Sequence, residues 1–202
     1  MKYFISAFFV ITLIFLVCYD GVSQSTGPWE VSNINWVSDG NGFVQFSTND
    51  YKRFGSSSIG FADNINVINT WEMECIKTSG AGNLGYGMIF NASERRNDFF
   101  YVILITIEGY YCIMKSVGSI STTIKNWSRS ERLNIGYNVI NTLKAVRNKK
   151  TITIFINGSQ VFQFKETGGK LDGNRIGYFV GIGDESKESF PNVPVNVRFR
   201  QK

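Results

Sequence analysis

Past an apolar opening stretch, the hydrophobic residues of this chain recur in short runs punctuated by Gly and Asn. No segment keeps a helical period beyond two turns, so the pattern predicts strands rather than helices. The expected strands fall at 43–47, 57–62, 70–77, 85–91, 99–106, 110–117, 139–147, 151–156, 159–165, 175–182 and 193–200. The segment 122–136, which carries Trp127, breaks the rhythm and reads as a long loop or a short turn of helix. No linker-like stretch divides the runs and no repeat is visible. One all-β domain from about Trp29 to Arg200 is the economical organisation.

Two hairpins are written locally. In TITIFINGSQVFQF, Asn157-Gly158 supplies the two left-handed positions of a type I′ turn, which sets Ile156 opposite Ser159. In DFFYVILITIEGYY, residues 98–111, a loop at Ile107-Glu108-Gly109 puts Gly109 in the left-handed position of a bulged hairpin. That register opposes Ile105 to Tyr111 and Ile103 to Ile113. Tyr101, Ile103, Ile105, Tyr111 and Ile113 then share one face, and Phe100, Val102, Leu104, Tyr110, Cys112 and Met114 share the other. Both faces are apolar, and Glu108-Gly109 interrupts a stretch already too short for a membrane helix. A sheet with one wet face alternates, so these strands belong mid-sheet with cover on both sides.

The opening MKYFISAFFVITLIFLVCYDGVSQS has Lys2, an apolar run over 4–17 broken only by Ser6 and Thr12, and then Gly21, Ser23 and Ser25. This is the order of a secretory signal peptide, and the run is short for a membrane span. The expected division is 1–23 as signal peptide, cleaved after Ser23, and 24–202 as one domain, secreted or held in the periplasm or cell envelope. Lipid modification at Cys18 and an uncleaved anchor are the competing readings. Against the first, Val17 is bulky where a lipoprotein signal needs a small residue.

Composition adds constraints. The chain has 202 residues, 43% of them hydrophobic, 15% aromatic and 18% charged, enough for a sizeable core. Twenty glycines against three prolines suit β structure. The net charge of +5 is dispersed, clustering only in the pairs Lys52-Arg53, Arg95-Arg96 and Lys149-Lys150. A nucleic-acid partner, which needs a stripe, is therefore not expected, while anionic partners are mildly favoured. The absence of histidine removes Ser-His-Asp triads, Cys-His pairs and His-bearing zinc sites. No cofactor is expected. Gly183-Asp184-Glu185-Ser186 could offer oxygens to structural calcium, but Lys187 follows and no ligand series continues. Cys75 shares a face with Trp71 and Met73, whereas Cys112 lies opposite Tyr111 and Ile113. The two thiols are expected on different sides of the sheet, buried and unbonded. Asn91, Asn126 and Asn157 are formal glycosylation acceptors, Asn157 also being explained by its turn.

The order GYGMIFNASERRNDFFYVILITIEGYYCIMK, a Trp-bearing segment at Trp127, and NTLKAVRNKKTITIFINGSQVFQF resembles the bacterial secreted jelly-roll domains of the concanavalin A-like lectin and glucanase superfamily, including the laminin-G-like type. The carriers are Gly85-Tyr86-Gly87, the Gly109-Tyr110-Tyr111 hairpin, Asn141 with Leu143, and Ile156-Asn157-Gly158, over about residues 40–200. The resemblance implies an all-β, two-sheet antiparallel jelly-roll sandwich of about 11–12 strands, one sheet concave and holding carbohydrate. Phe100 and Tyr110 would then be floor residues, with Trp127 beside them and Arg95, Asp98 and Asn91 at the rim. Pyranose C–H faces stack on such rings while hydroxyls find polar partners. The same rings would equally serve to pack under covering loops.

In WEMEC, Glu72 and Glu74 project from one face of a strand, about 6.6 Å apart, near the spacing of cooperating glycosidase carboxylates. Glucanases of the superfamily carry Glu-x-Asp-x-Glu or Glu-x-Asp-x-x-Glu; here Ile76 and Lys77 stand where further acids would be sought. Three readings follow. The first is an exported, non-catalytic carbohydrate-binding or adhesion module, meeting a glycan surface with no membrane span in the mature chain. The second is a glycoside hydrolase using Glu72 and Glu74. The third is a structural envelope protein whose groove its own loops fill.

Overall fold

The computed structural model describes residues 29–30, 36–38, 42–48, 57–62, 69–93, 99–118, 120–166, 173–181 and 195–202. They form fourteen strands: β1 (Trp29–Glu30), β2 (Trp36–Ser38), β3 (Val44–Thr48), β4 (Ser57–Ala62), β5 (Thr70–Ser79), β6 (Tyr86–Ala92), β7 (Phe99–Ile105), β8 (Tyr110–Val117), β9 (Ile120–Arg129), β10 (Asn141–Asn148), β11 (Thr151–Ile156), β12 (Ser159–Lys165), β13 (Arg175–Gly181) and β14 (Val195–Gln201). Two seven-stranded antiparallel sheets result. The first runs β1-β4-β13-β6-β7-β8-β9 and the second β12-β11-β10-β5-β14-β3-β2. No helix of the described residues is long and apolar enough to cross a membrane.

The sheets pack face to face through the inward residues of both. Tyr86, Met88, Phe90, Tyr101, Ile103, Ile105, Ile113 and Tyr178 from the first meet Phe46, Trp71, Met73, Leu143, Ile154, Val197 and Phe199 from the second. Rings interlock across the gap, with Tyr178 stacked on Phe199 at 5.4 Å and Tyr101 tilted against Phe164 at 5.5 Å. Both faces of β6 and β7 are buried at every position, whereas β10, β11 and β14 alternate. The reason is a second apolar cluster on the outer side of the first sheet, made by Phe61, Ile89, Phe100, Val102, Leu104, Cys112 and Phe179. The outer side of the second sheet is instead polar and charged, as a solvated face requires.

The local expectations hold in detail. Ile105 pairs with Tyr111 and Ile103 with Ile113, and Gly109 sits at φ 88°. Asn157 and Gly158 have φ 48° and 79°, with Ile156 opposite Ser159. Cys75 belongs to the inter-sheet core and Cys112 to the outer cluster, both unbonded. One expectation fails. Residues 120–129 are neither loop nor helix but the ten-residue edge strand β9, joined to β8 with two register shifts. An edge strand covers neither face fully, so its Ser, Thr, Lys and Asn carry no alternation to read.

Candidate functional site

One end of the sandwich is closed by three connections that lock together. The β7–β8 turn receives Gly136 N–H on the Ile107 carbonyl and Ser130 N–H on the Gly109 carbonyl. The 130–140 segment thus crosses the end from β9 toward β10. Asn141 and Asn157 hold it from the second sheet: Asn134 N–H donates to Asn141 Oδ1 at 2.9 Å, and Asn157 Nδ2 donates to Asn141 Oδ1 and the Arg132 carbonyl. The β5–β6 loop is fastened from beneath by Lys77. Its ammonium donates to the carbonyls of Ala81 and, at 3.1 Å, Leu84, and lies 5.6 Å from the centre of the Tyr86 ring. Lys77 is only 1% exposed, and burial pulls its pKa down to about 8, partly countered by the Glu108 carboxylate. The Tyr137 hydroxyl donates to Gly80 O and the Asn138 N–H to Lys77 O, tying the two connections to each other.

Beside this end, the outer side of the first sheet presents a ring pair. Tyr110 shares the outer face with Cys112, while Tyr111 turns inward and donates its hydroxyl to the Val161 carbonyl. Trp127 on β9 brings its ring tip against Gly85, near Leu104. Tyr110 and Trp127 are each 40% exposed although both are anchored in a sheet. Arg129 is the direct cross-strand partner of Tyr110, which puts its side chain about 5 Å away on the same face. Ile135, 56% exposed, extends the surface over Gly109.

The carboxylate pair lies elsewhere. Glu72 and Glu74 stand on the outer side of the second sheet, opposite Lys144 and Thr142. Lys144 Nζ meets Glu72 at 2.9 Å, and Arg200 Nε donates to Glu74 at 2.8 Å with Lys202 on its other oxygen. Burial pushes the Glu74 carboxyl upward, but hydrogen bonds and charge from Lys202 and Arg200 outweigh it and hold the group below the usual carboxylate range.

Solved structures share this arrangement of strands. The carbohydrate-binding module CBM66 from Bacillus subtilis superimposes with a TM-score of 0.62 at 13% identity, covering 86% of this chain and 92% of that one. The β-glucanase of Bacillus licheniformis does so at 0.60 and 12%, covering 90% and 87%. The catalytic domain of the Thermotoga petrophila endo-1,3-β-glucanase, a laminarinase, gives 0.56 and 7%, covering 85% and 80%. The chain has the concanavalin A-like jelly-roll fold. No protein-family model and no curated protein matches it.

On this jelly roll the expected site residues separate into groups. Tyr110 and Trp127 stand on paired strands, Trp127 two residues before the Arg129 that opposes Tyr110, and Trp127 comes from a strand rather than the loop expected of it. Phe100 is on the same face but 2% exposed, and it pairs with Ser116, about 20 Å along the strand from Tyr110. Asn91 is fully buried and accepts a hydrogen bond from Arg147, whose guanidinium lies 5.2 Å from the Trp71 ring. It thereby links the two sheets. Arg95, Asp98 and the 183–186 loop lie outside the described residues. Arg129 and Lys77 were missed from sequence: the first is visible only once the β9 register is known, whereas the second had a signal, since strand alternation puts it on the inward face with Trp71, Met73 and Cys75.

Proposed function

We propose that this protein is an exported, non-catalytic carbohydrate-binding module whose ligand stacks on Tyr110 and Trp127. The observation that carries the reading is the exposed ring pair fixed on one sheet face by the β8–β9 pairing. Rings held by backbone pairing lose little freedom on binding, and a pyranose can lie on them while its hydroxyls meet the flanking polar groups. The fold shared with a carbohydrate-binding module and with glucanases supports a saccharide ligand. Export rests on the order of the first 23 residues. Against hydrolysis, Glu72 and Glu74 face away from the rings, and each is engaged by cations. A general acid needs an environment that raises its pKa, the opposite of the one around Glu74.

A saccharide and polysaccharide binding screen, repeated with Trp127→Ala and Tyr110→Ala, tests the reading. Each substitution is expected to weaken binding about tenfold or more, the scale of an aromatic hot spot. Binding unchanged in both variants would remove the ring pair from the site.

A further inference from the structure

We infer that the platform selects acidic saccharides, with Arg129 receiving the carboxylate of a uronic-acid residue stacked on Tyr110 and Trp127. The inference rests on the ring pair being the sugar site and names the class of sugar. Arg129 faces Tyr110 across the β8–β9 ladder and is exposed. Among the described residues its guanidinium has no hydrogen-bond or ion-pair partner. Lysines elsewhere in the two sheets are engaged: Lys115 with Glu166, Lys125 over the Phe162 ring, and Lys144, on the opposite face of the sandwich, with Glu72. Among the described residues neither Glu108, which lies by Gly82 and acts on the Lys77 charge, nor Glu131, just past β9, is ion-paired with it. A planar fork of donors beside two stacking rings fits a uronate, whose C6 carboxylate stands at the edge of the sugar ring and accepts two parallel N–H bonds. A neutral hexose offers a single hydroxyl there and leaves the charge unmatched. The net charge of +5 draws the same class of ligand from a distance.

The test compares polygalacturonate with its carboxyl-reduced form, which keeps the linkage and ring geometry but carries no charge. Purified protein is expected to bind the acidic polymer at least tenfold more tightly, with an affinity that falls as salt rises. Arg129→Gln should remove most of that preference and its salt dependence, weakening binding of the acidic polymer far more than that of the reduced one. Arg129→Lys, keeping the charge without the fork, should fall between. Unchanged thermal unfolding of both variants separates recognition from folding. Equal binding of the two polymers, or a preference that survives Arg129→Gln, overturns the inference while the platform stands if Trp127→Ala still weakens binding. A sulfated glucan bound more tightly than polygalacturonate overturns the carboxylate assignment. Failure of every saccharide to bind overturns inference and platform together.

Discussion

Lys77 shows how a single residue ties the core to the site. It follows Trp71, Met73 and Cys75 on the inward face of β5, so the strand carries its ammonium into the mouth of the sandwich. Carbonyls of the β5–β6 loop solvate it there, and that loop supports Trp127 through Gly85. The linkage has a definite sign. Below pH 8 the folded and unfolded chains both hold the proton, and the folded state bears the full cost of the buried charge. Between about 8 and 10.5 the folded chain releases the proton while the unfolded chain keeps it, so stability rises with pH. A displacement from 10.5 to about 8 corresponds to about 3 kcal/mol. Lys77→Met should lack this rise. In urea unfolding at pH 7.5, 9 and 10, the wild type should gain on the variant by about 2 kcal/mol across the series. Parallel curves across that range would show that the ammonium is not desolvated as described.

Among elements, β6, β7 and β8 were legible because their information is local. The Glu-Gly turn fixes the register, and the unbroken apolar run declares that both faces are covered. β9 was not legible. Its residues sit half in water, and the two register shifts against β8 destroy any period that its pairing would impose. The platform was therefore half visible: Tyr110 could be assigned to a face, but the position of Trp127 and the existence of Arg129 as a neighbour depend on bulges that no local pattern encodes. Gly87, in the segment that signalled the fold, has a firmer physical reason. A Cβ there would stand 2.0 Å from the Ile103 carbonyl oxygen of the paired strand. Gly87→Ala must push β6 away from β7, breaking contacts in both apolar clusters. It should cost on the order of 3 kcal/mol, read as a lower urea midpoint. A variant as stable as wild type would mean that the two strands yield easily at their centre.

The molecule as a whole divides its work between two outer faces of different chemistry. The first sheet turns outward an apolar cluster that ends at exposed rings, and the second turns outward an ionic lattice of Glu72, Glu74, Lys144, Arg200 and Lys202. A carboxylate held ionised by two cations adds stability above its unfolded pKa of about 4.5 and loses it as pH falls through its lower folded value. Glu74→Gln should thus destabilise the fold at pH 7 by about 1 kcal/mol, because both cations are partly exposed and screened. The difference should shrink as the pH is lowered below 4.5. Saccharide binding at the opposite face should not change, since the full thickness of the sandwich separates Glu74 from Tyr110. Titrating wild type and Glu74→Gln against the same polymer, alongside unfolding at pH 7 and pH 3.5, reads both effects. Polymer cleavage by the wild type that disappears in Glu74→Gln, with the fold intact, would move the chemistry to the second sheet and make the ring pair an accessory to it.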